Sequence, residues 1–161
     1  MADANIKQFR ARWSIALWVM TLFIAALVLC LLIFGLPAPG ALLAVILCVC
    51  IPYVPRAFYI SEHNLTVNRL GPDVVIRVND IQGIRRVHRK DFGLTIRIFG
   101  VGGFFGYYGH YYSFRIGKFK AYATNLKSLV LITCDDRKKY VLSPENADEF
   151  TDMVSQLKEA S

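Results

Sequence analysis

A run of about 43 residues without a charged side chain, from Trp13 to Pro55, constrains the fold of this chain more than any other feature. A bilayer core needs roughly 20 apolar residues per helix, so the run is long enough for two membrane spans. Its middle reads Leu36-Pro37-Ala38-Pro39-Gly40, where proline and glycine favour a turn. Residues 13–55 are therefore predicted to form a transmembrane helical hairpin, with helices at about 13–35 and 38–54.

The charges that flank this run predict its orientation. Lys7, Arg10 and Arg12 precede the run, Arg56 follows it, and the turn between the two helices carries no charge. Positively charged flanks stay on the cytoplasmic side of a membrane. We therefore expect a multi-pass protein of the cell inner membrane, with a basic cytosolic N-terminus over residues 1–12 and both termini in the cytoplasm.

The residues that could carry catalysis or bind a metal are few and dispersed. Three of the four cysteines lie within the hairpin, which leaves Cys134 alone in the remainder of the chain. The three histidines are far apart in sequence, and none forms the short spacing that is typical of a zinc site. No nucleophile has an evident base beside it in the sequence. We expect a protein that is not an enzyme and that needs neither a metal nor a cofactor.

Beyond Pro55 the hydrophobic pattern changes from continuous to alternating, which indicates strands. The predicted strands are Ala57–Ile60, Leu65–Arg69, Val74–Val78, Ile81–His88, Phe119–Ala123, Leu129–Thr133 and Tyr140–Leu142. Short strands at this spacing favour an antiparallel sheet that closes or folds on itself.

The C-terminal segment has the pattern of one amphipathic helix over residues 144–158. Ser143 suits the N-cap and Pro144 the first helical position. A stripe of apolar residues then recurs at helical spacing: Ala147, Phe150, Met153, Val154 and Leu157. Such a helix needs an apolar surface to cover, and the open end of a small barrel would provide one.

The segments FGVGGFFGYYG, KFKAYATN and YVLSPENADEFTDMV resemble the bacterial pleckstrin-homology (PH)-like family, from about Arg56 to Leu157. The resemblance implies a PH-like barrel or sandwich of about seven strands, capped by one C-terminal helix, over residues 56–161. PH domains that bind phosphoinositides carry lysine and arginine in the loop joining their first two strands. Here that loop is Ser61-Glu62-His63-Asn64, which argues against phosphoinositide binding of that kind.

A tract rich in glycine and aromatic residues, between Phe99 and Asn125, offers a first candidate contact surface. Its exposed aromatics would meet a membrane or a protein partner, whereas the alternative is that they fill the barrel. In an antiparallel meander the fourth strand runs back toward the hairpin. The tract follows that strand, so it would lie at the membrane. An extra strand at Leu94–Ile98 would instead place the tract at the end away from the membrane. The candidate residues are Phe104, Phe105, Tyr107, Tyr108, Tyr111 and Tyr112.

A basic cluster offers a second candidate surface. Arg85, Arg86, Arg89 and Lys90 lie close together in sequence and could attract anionic lipid. The alternative is a solvated strand face. Nucleic acid is not expected as a partner, because a membrane tether makes lipid headgroups the nearer target.

Together these features predict a membrane-anchored PH-like interaction or scaffolding module at the cytoplasmic face. Its partners would be the lipid bilayer and either another protein or further copies of the chain. The alternative is an accessory subunit of a larger transporter or envelope-enzyme complex, in which the hairpin packs against a membrane partner.

Overall fold

The computed structural model describes residues 6–11, 15–50, 53–102, 106–135 and 137–159. Two helices, α1 (Ile15–Ile33) and α2 (Pro37–Cys50), contact each other and form the predicted hairpin. Gly35 ends α1 with a positive φ of 72°, and the amide of Leu36 donates a hydrogen bond to the carbonyl of Leu31 at 3.0 Å. Pro37 then begins α2, since proline at the first helical position loses no intrahelical hydrogen bond.

The dimensions of the two helices differ from the prediction. Among the described residues, no helix combines the length and the apolar character that crossing a membrane requires. The 19 residues of α1 and the 14 residues of α2 rise by about 28 and 21 Å, whereas a hydrocarbon core is about 30 Å thick. The hairpin is present, but two transmembrane spans are not supported.

The described residues also form ten strands in two sheets. The strands are β1 (Lys7–Arg10), β2 (Pro55–Ile60), β3 (Asn64–Arg69), β4 (Val74–Arg77), β5 (Ile81–Val87), β6 (Thr95–Gly102), β7 (Tyr107–Ser113), β8 (Gly117–Ala123), β9 (Leu129–Cys134) and β10 (Lys139–Leu142). One sheet has the order β1-β2-β3-β4 and the other β5-β9-β10-β8-β7-β6, with β8 and β10 parallel and all other pairs antiparallel. Each of the seven predicted strands is present, and β1, β6 and β7 are additional.

The basic N-terminal segment is part of the sheet rather than a separate region. Strand β1 pairs with β2, with Lys7 opposite Ile60 and Arg10 opposite Ala57. The amide of Glu145 also donates to the carbonyl of Arg10 at 3.0 Å, which ties β1 to the C-terminal segment. The hairpin is therefore inserted between two neighbouring strands of one sheet.

Helix α3 (Ala147–Glu159) packs on the core between the sheets. Phe150 is fully buried, and its ring meets Phe9 of β1 and Phe58 of β2 edge-on, at centroid distances of 5.2 and 6.1 Å. The predicted apolar stripe is confirmed, because its members are buried in this core or pack against it: Ala147, Phe150, Met153, Val154 and Leu157.

The start of α3 differs from the prediction by three residues. Ser143 lies before the helix, where its buried hydroxyl accepts a hydrogen bond from the amide of Thr124 at 2.8 Å. Asn146 caps the helix instead: its Oδ1 accepts from the amide of Glu149 at 3.4 Å, and its Nδ2 donates to the Glu149 carboxylate at 3.0 Å. An asparagine cap suits the helix as well as serine would.

The six-stranded sheet is apolar on both faces. Its inner face, with Val130 and Leu142 among others, belongs to the core shared with the four-stranded sheet and α3. The opposite face, which we call the outer face, carries a second buried cluster: Val87, Phe92, Tyr111, Ile116, Phe119, Ala121, Ala123, Leu129, Leu131 and Val141. A sheet with one solvent-exposed face normally alternates apolar and polar residues. The second cluster therefore shows that the outer face is not an ordinary solvent-exposed face.

Candidate functional site at the base of the helical hairpin

The glycine-rich aromatic tract forms a two-stranded ribbon of β6 and β7 instead of a long loop. Phe104 and Phe105 lie outside the described residues. Gly100 and Gly109 face each other across the ribbon, with φ angles of 130° and 124°. A Cβ on Gly109 would lie 2.3 Å from the carbonyl oxygen of Phe99, so only glycine permits this close backbone approach.

Tyr108 joins this ribbon to the base of the hairpin. Its hydroxyl donates to the carbonyl of Cys50, the last residue of α2, at 3.0 Å. Its ring stacks with that of Tyr53 at a centroid distance of 6.5 Å. Burial, and then the proximity of Cys50, raises the pKa of the Tyr108 hydroxyl above its usual value, so the group remains a protonated donor.

Arg69, at the end of β3, lies beside the same rings. Its guanidinium carbon is 5.9 Å from the ring centroid of Tyr53 and 5.3 Å from that of Tyr122. Burial raises the pKa of the Tyr122 hydroxyl, an effect that the charge of Arg69 partly opposes. Cation–π contacts of this kind contribute about 0.5–2 kcal/mol. We call Cys50, Tyr53, Arg69, Tyr108 and Tyr122 the junction cluster.

The strand count that placed the tract beside the hairpin is wrong, because an additional strand, β6, is present. The prediction assumed that consecutive strands pair. In the structure β5 and β6 lie at opposite edges of the six-stranded sheet and do not pair. The pairings between them make the two strands run in the same direction. The contact between Tyr108 and Cys50 places this end of the ribbon beside the hairpin directly.

The four described aromatics of the predicted contact surface have separate positions. Tyr108 is 4% exposed in the junction cluster, and Tyr111 is 7% exposed in the second cluster, where its ring stacks on Phe119 at 5.7 Å. Both are core residues, so neither offers a contact surface as predicted. Tyr107 packs half-buried against the second cluster, and Tyr112 is half-buried.

The predicted basic cluster does not form a single patch. Arg85 and Arg86 are neighbours in β5, so their side chains project from opposite faces of the sheet. Arg86 is also paired with α3, since its Nη1 lies 2.7 and 2.6 Å from the two carboxylate oxygens of Asp148. Arg89 and Lys90 are exposed in the turn that follows β5.

The structure instead brings together two arginines that flank the hairpin. Arg10 and Arg56 line one open recess of about 600 Å³, and neither forms an ion pair with a carboxylate among the described residues. The amide of Ala11 donates to the carbonyl of Arg56 at 3.0 Å, which holds the two ends of the hairpin together. The recess, which we call the basal recess, is lined by Gln8, Arg10, Ala11, Trp18, Arg56, Ala57, Tyr59 and Asn68.

The prediction treated Arg10 and Arg56 as flanking charges and not as one site, although the sequence contained a signal for the basal recess. Arg10 and Arg56 flank the uncharged run at its two ends, and a hairpin brings its ends together. The arginines and the amide side chains supply hydrogen-bond donors, and Trp18 and Tyr59 are aromatic, so the site suits an anionic group at an apolar boundary. Across the described ranges no cluster of three or more histidine, cysteine or acidic side chains could hold a metal ion.

Comparison with known proteins supplies the family. A family model for the bacterial PH domain matches residues 56–158, which is most of the chain. The chain belongs to the bacterial PH domain family. No curated protein and no solved structure shows significant similarity to the chain.

The family assignment separates the chain into a common part and an added part. The bacterial PH domain begins at Arg56, so β1 and the hairpin lie outside the matched range. PH-like domains generally act as non-catalytic interaction or scaffolding modules. The loop between β2 and β3 in this PH domain contains no lysine or arginine.

Proposed function

We propose that the chain is a membrane-anchored interaction module, in which the hairpin lies in the apolar layer of a membrane and holds the PH domain against the cytoplasmic headgroups. The insertion of the hairpin between β1 and β2 is the observation that carries this proposal. Because both hairpin ends are fixed to paired strands, they lie on the same side of any membrane that the hairpin enters.

The surface of the hairpin supports a membrane environment. Large apolar side chains are exposed along α1, including Leu22 at 64% and Phe23 at 68%, whereas Ile24 is buried. The described part of the chain packs little against α1 apart from α2. A helix that is apolar on every side is normally buried in a protein core or in lipid. Lipid is the simpler environment, and the flanking positive charges favour a cytoplasmic position for both ends.

The basal recess supports contact with anionic headgroups. Arg10 and Arg56 emerge where the hairpin joins the sheet, which is where headgroups would surround an inserted hairpin. Each basic side chain near an anionic leaflet contributes about 1 kcal/mol. Trp18 and Tyr59 in the same recess suit the boundary between water and lipid. The junction cluster attaches the β6–β7 ribbon to the base of the hairpin through the hydrogen bond from Tyr108 to Cys50.

The experiment uses the full chain in nanodiscs, in a background without the four native cysteines. An environment-sensitive dye is attached at Tyr59→Cys in the basal recess or at Arg77→Cys in β4, at the sheet end away from the hairpin. We expect a less polar signal at position 59 than at 77, and a larger difference with anionic lipid. Arg10→Gln with Arg56→Gln should remove the dependence on lipid charge.

The control for these variants is Arg77→Gln, which removes an exposed arginine whose partner is Asp80. It should leave the dye signal at position 59 unchanged. Equal, water-like emission at both dye positions would show that the domain stands away from the headgroups, and the proposal would fail. A chain extracted from membranes by alkaline carbonate would refute the inserted hairpin itself.

A protein partner is a second candidate, because β6 is an exposed edge strand. Ile96, Ile98 and Phe99 are 51%, 57% and 77% exposed, and an apolar edge strand is a template for pairing with another strand. A cysteine at Ile98 in the cysteine-free background should cross-link to a second copy if the module is a homo-oligomer. Cross-linking to a different membrane protein would favour the accessory-subunit function.

A further inference from the structure

The outer face of the six-stranded sheet contains a groove of about 410 Å³ that the proposed membrane anchoring does not use. Small-molecule sites in proteins have volumes of about 300–1,000 Å³. The groove, which we call the outer groove, is lined by Arg89, Phe92, Gly93, Leu94, Thr95, Arg97, Tyr107, Tyr111, Phe119, Ala121, Ala123, Leu126, Leu129 and Val141.

The floor of the outer groove consists of aromatic rings in contact with one another. The ring of Phe119 lies between those of Phe92 and Tyr111, at centroid distances of 5.3 and 5.7 Å. The small side chains of Ala121 and Ala123, on the same strand, leave the space open. No helix or second sheet among the described residues packs over this floor, so its apolar surface is only partly covered.

The charges at the outer groove have one sign. Arg89 and Arg97 are exposed in its lining, and no acidic residue lines it. Neither arginine forms an ion pair within the described ranges. Arg97 lies opposite Tyr111 in the β6–β7 register, and burial raises the pKa of the Tyr111 hydroxyl to about 12. At neutral pH the lining therefore offers cations and neutral donors to a ligand.

We propose that the outer groove binds a single-chain amphiphile with an anionic head. Its apolar chain lies on the aromatic floor, and its carboxylate or phosphate is bound by Arg89 and Arg97. An apolar groove with two arginines that form no ion pair within the described ranges fits this chemistry, because the floor accepts the chain and a guanidinium group binds a carboxylate or phosphate. This site is on the opposite face of the sheet from the core and separate from the basal recess.

The test uses the full chain in zwitterionic nanodiscs and three photoreactive probes with a mid-chain diazirine. The probes are a dodecanoic acid, the matching alcohol and the matching lysophosphatidic acid. Mass spectrometry maps the labelled residues, which separates probe in the outer groove from probe dissolved near the hairpin. We expect labelling of Phe119 or Ala121 by the acid, and its relative yield against the phosphate probe identifies the preferred head.

The double variant Arg89→Gln/Arg97→Gln should weaken groove labelling by the anionic probes about tenfold, since each charge-assisted hydrogen bond contributes more than a neutral one. The matched control is Arg85→Gln, which removes an exposed arginine from β5 outside the lining. Both variants change surface residues, so the fold should persist. Labelling should respond to the first variant and not to the second.

Three results would overturn the proposal. Labelling confined to the hairpin would show that the outer groove takes no amphiphile. Equal groove labelling by the acid and the alcohol, insensitive to Arg89 and Arg97, would show that the site does not select an anionic head. Protection of the groove by a second copy of the chain, or by a bound peptide seen in native mass spectrometry, would assign the surface to a protein contact.

Discussion

Replacing Gly109 with alanine tests the close approach of the β6 and β7 backbones directly. The new Cβ would lie 2.3 Å from the carbonyl oxygen of Phe99 and 2.6 Å from the Cα of Gly100. The first distance is about 0.7 Å shorter than the 3.0 Å that real Cβ contacts respect. Both are backbone atoms of β6, which no side-chain adjustment can move, so the two strands must separate.

The expected cost follows from two contributions. A non-glycine residue at a φ of 124° is strained by about 1–3 kcal/mol, and relief of an overlap in a packed region costs about 1–3 kcal/mol more. We therefore expect Gly109→Ala to reduce the free energy of unfolding by about 2–6 kcal/mol. For a domain of this size such a loss lowers Tm by roughly 10 °C or more.

The measurement is thermal unfolding of the full chain in nanodiscs, followed by the near-ultraviolet circular dichroism of the tyrosines. Amide hydrogen exchange then locates the loss of protection, which should concentrate in β6 and β7. Gly83→Ala is the control: its Cβ would meet no atom within 4 Å and its φ lies outside the positive region, so its effect should stay within about 0.5 kcal/mol. Equal stability of the two variants would refute the ribbon geometry.

Three further predictions follow from the packing and the charges. Phe150→Ala should lower the free energy of unfolding by about 3–5 kcal/mol in denaturant titrations, and a double-mutant cycle with Phe9→Ala should give a coupling of about 0.5–1.5 kcal/mol; additive effects would exclude the edge-on contact. Burial favours the neutral Tyr111 phenol, so stability should be full below its usual pKa of 10.0 and fall as the pH rises through about 12, less steeply in Tyr111→Phe; parallel pH profiles would contradict this. Arg86→Gln should cost less than about 1 kcal/mol and leave the nanodisc dye signal unchanged, because its exposed pair with Asp148 is structural; a lost lipid response would restore Arg86 as a lipid contact.

The parts of the fold that the sequence predicts are those with a strong local pattern. One such pattern is the alternation of apolar and polar residues in β2 to β5 and β8 to β10, and another is the apolar stripe of α3. Each can be recognised from a few neighbouring residues. Strand β1 has only four residues, and its partner β2 lies beyond the hairpin, so no local pattern reveals the pairing. Strands β6 and β7 are interrupted by glycine, which weakens the strand pattern next to the register shift between Arg97 and Phe99.

The functional surfaces were harder to predict because residues that are close in sequence are not always close in the structure. Closeness in sequence suggested that Arg85 and Arg86 act together, but strand geometry separates them onto opposite faces. Arg10 and Arg56 are distant in sequence, and only the closed base of the hairpin makes them neighbours. Burial of Tyr108 and Tyr111 depends on two different cores, which the composition of the tract does not distinguish.

The insertion of the hairpin between β1 and β2 also determines the order in which the molecule can be completed. Phe9 is synthesised before Phe58, its neighbour in the sheet, and before Phe150, which its ring contacts. The whole hairpin is synthesised between Phe9 and Phe58. Closing a disordered loop of that length carries an entropic cost that grows with its length. Once α1 and α2 have packed, the ends of the loop are already adjacent, and the edge strand joins a neighbour that is only a short distance away. A formed hairpin therefore lowers the entropic cost of adding β1 to the edge of the sheet, and a chain whose hairpin is unformed would pair β1 with β2 less readily.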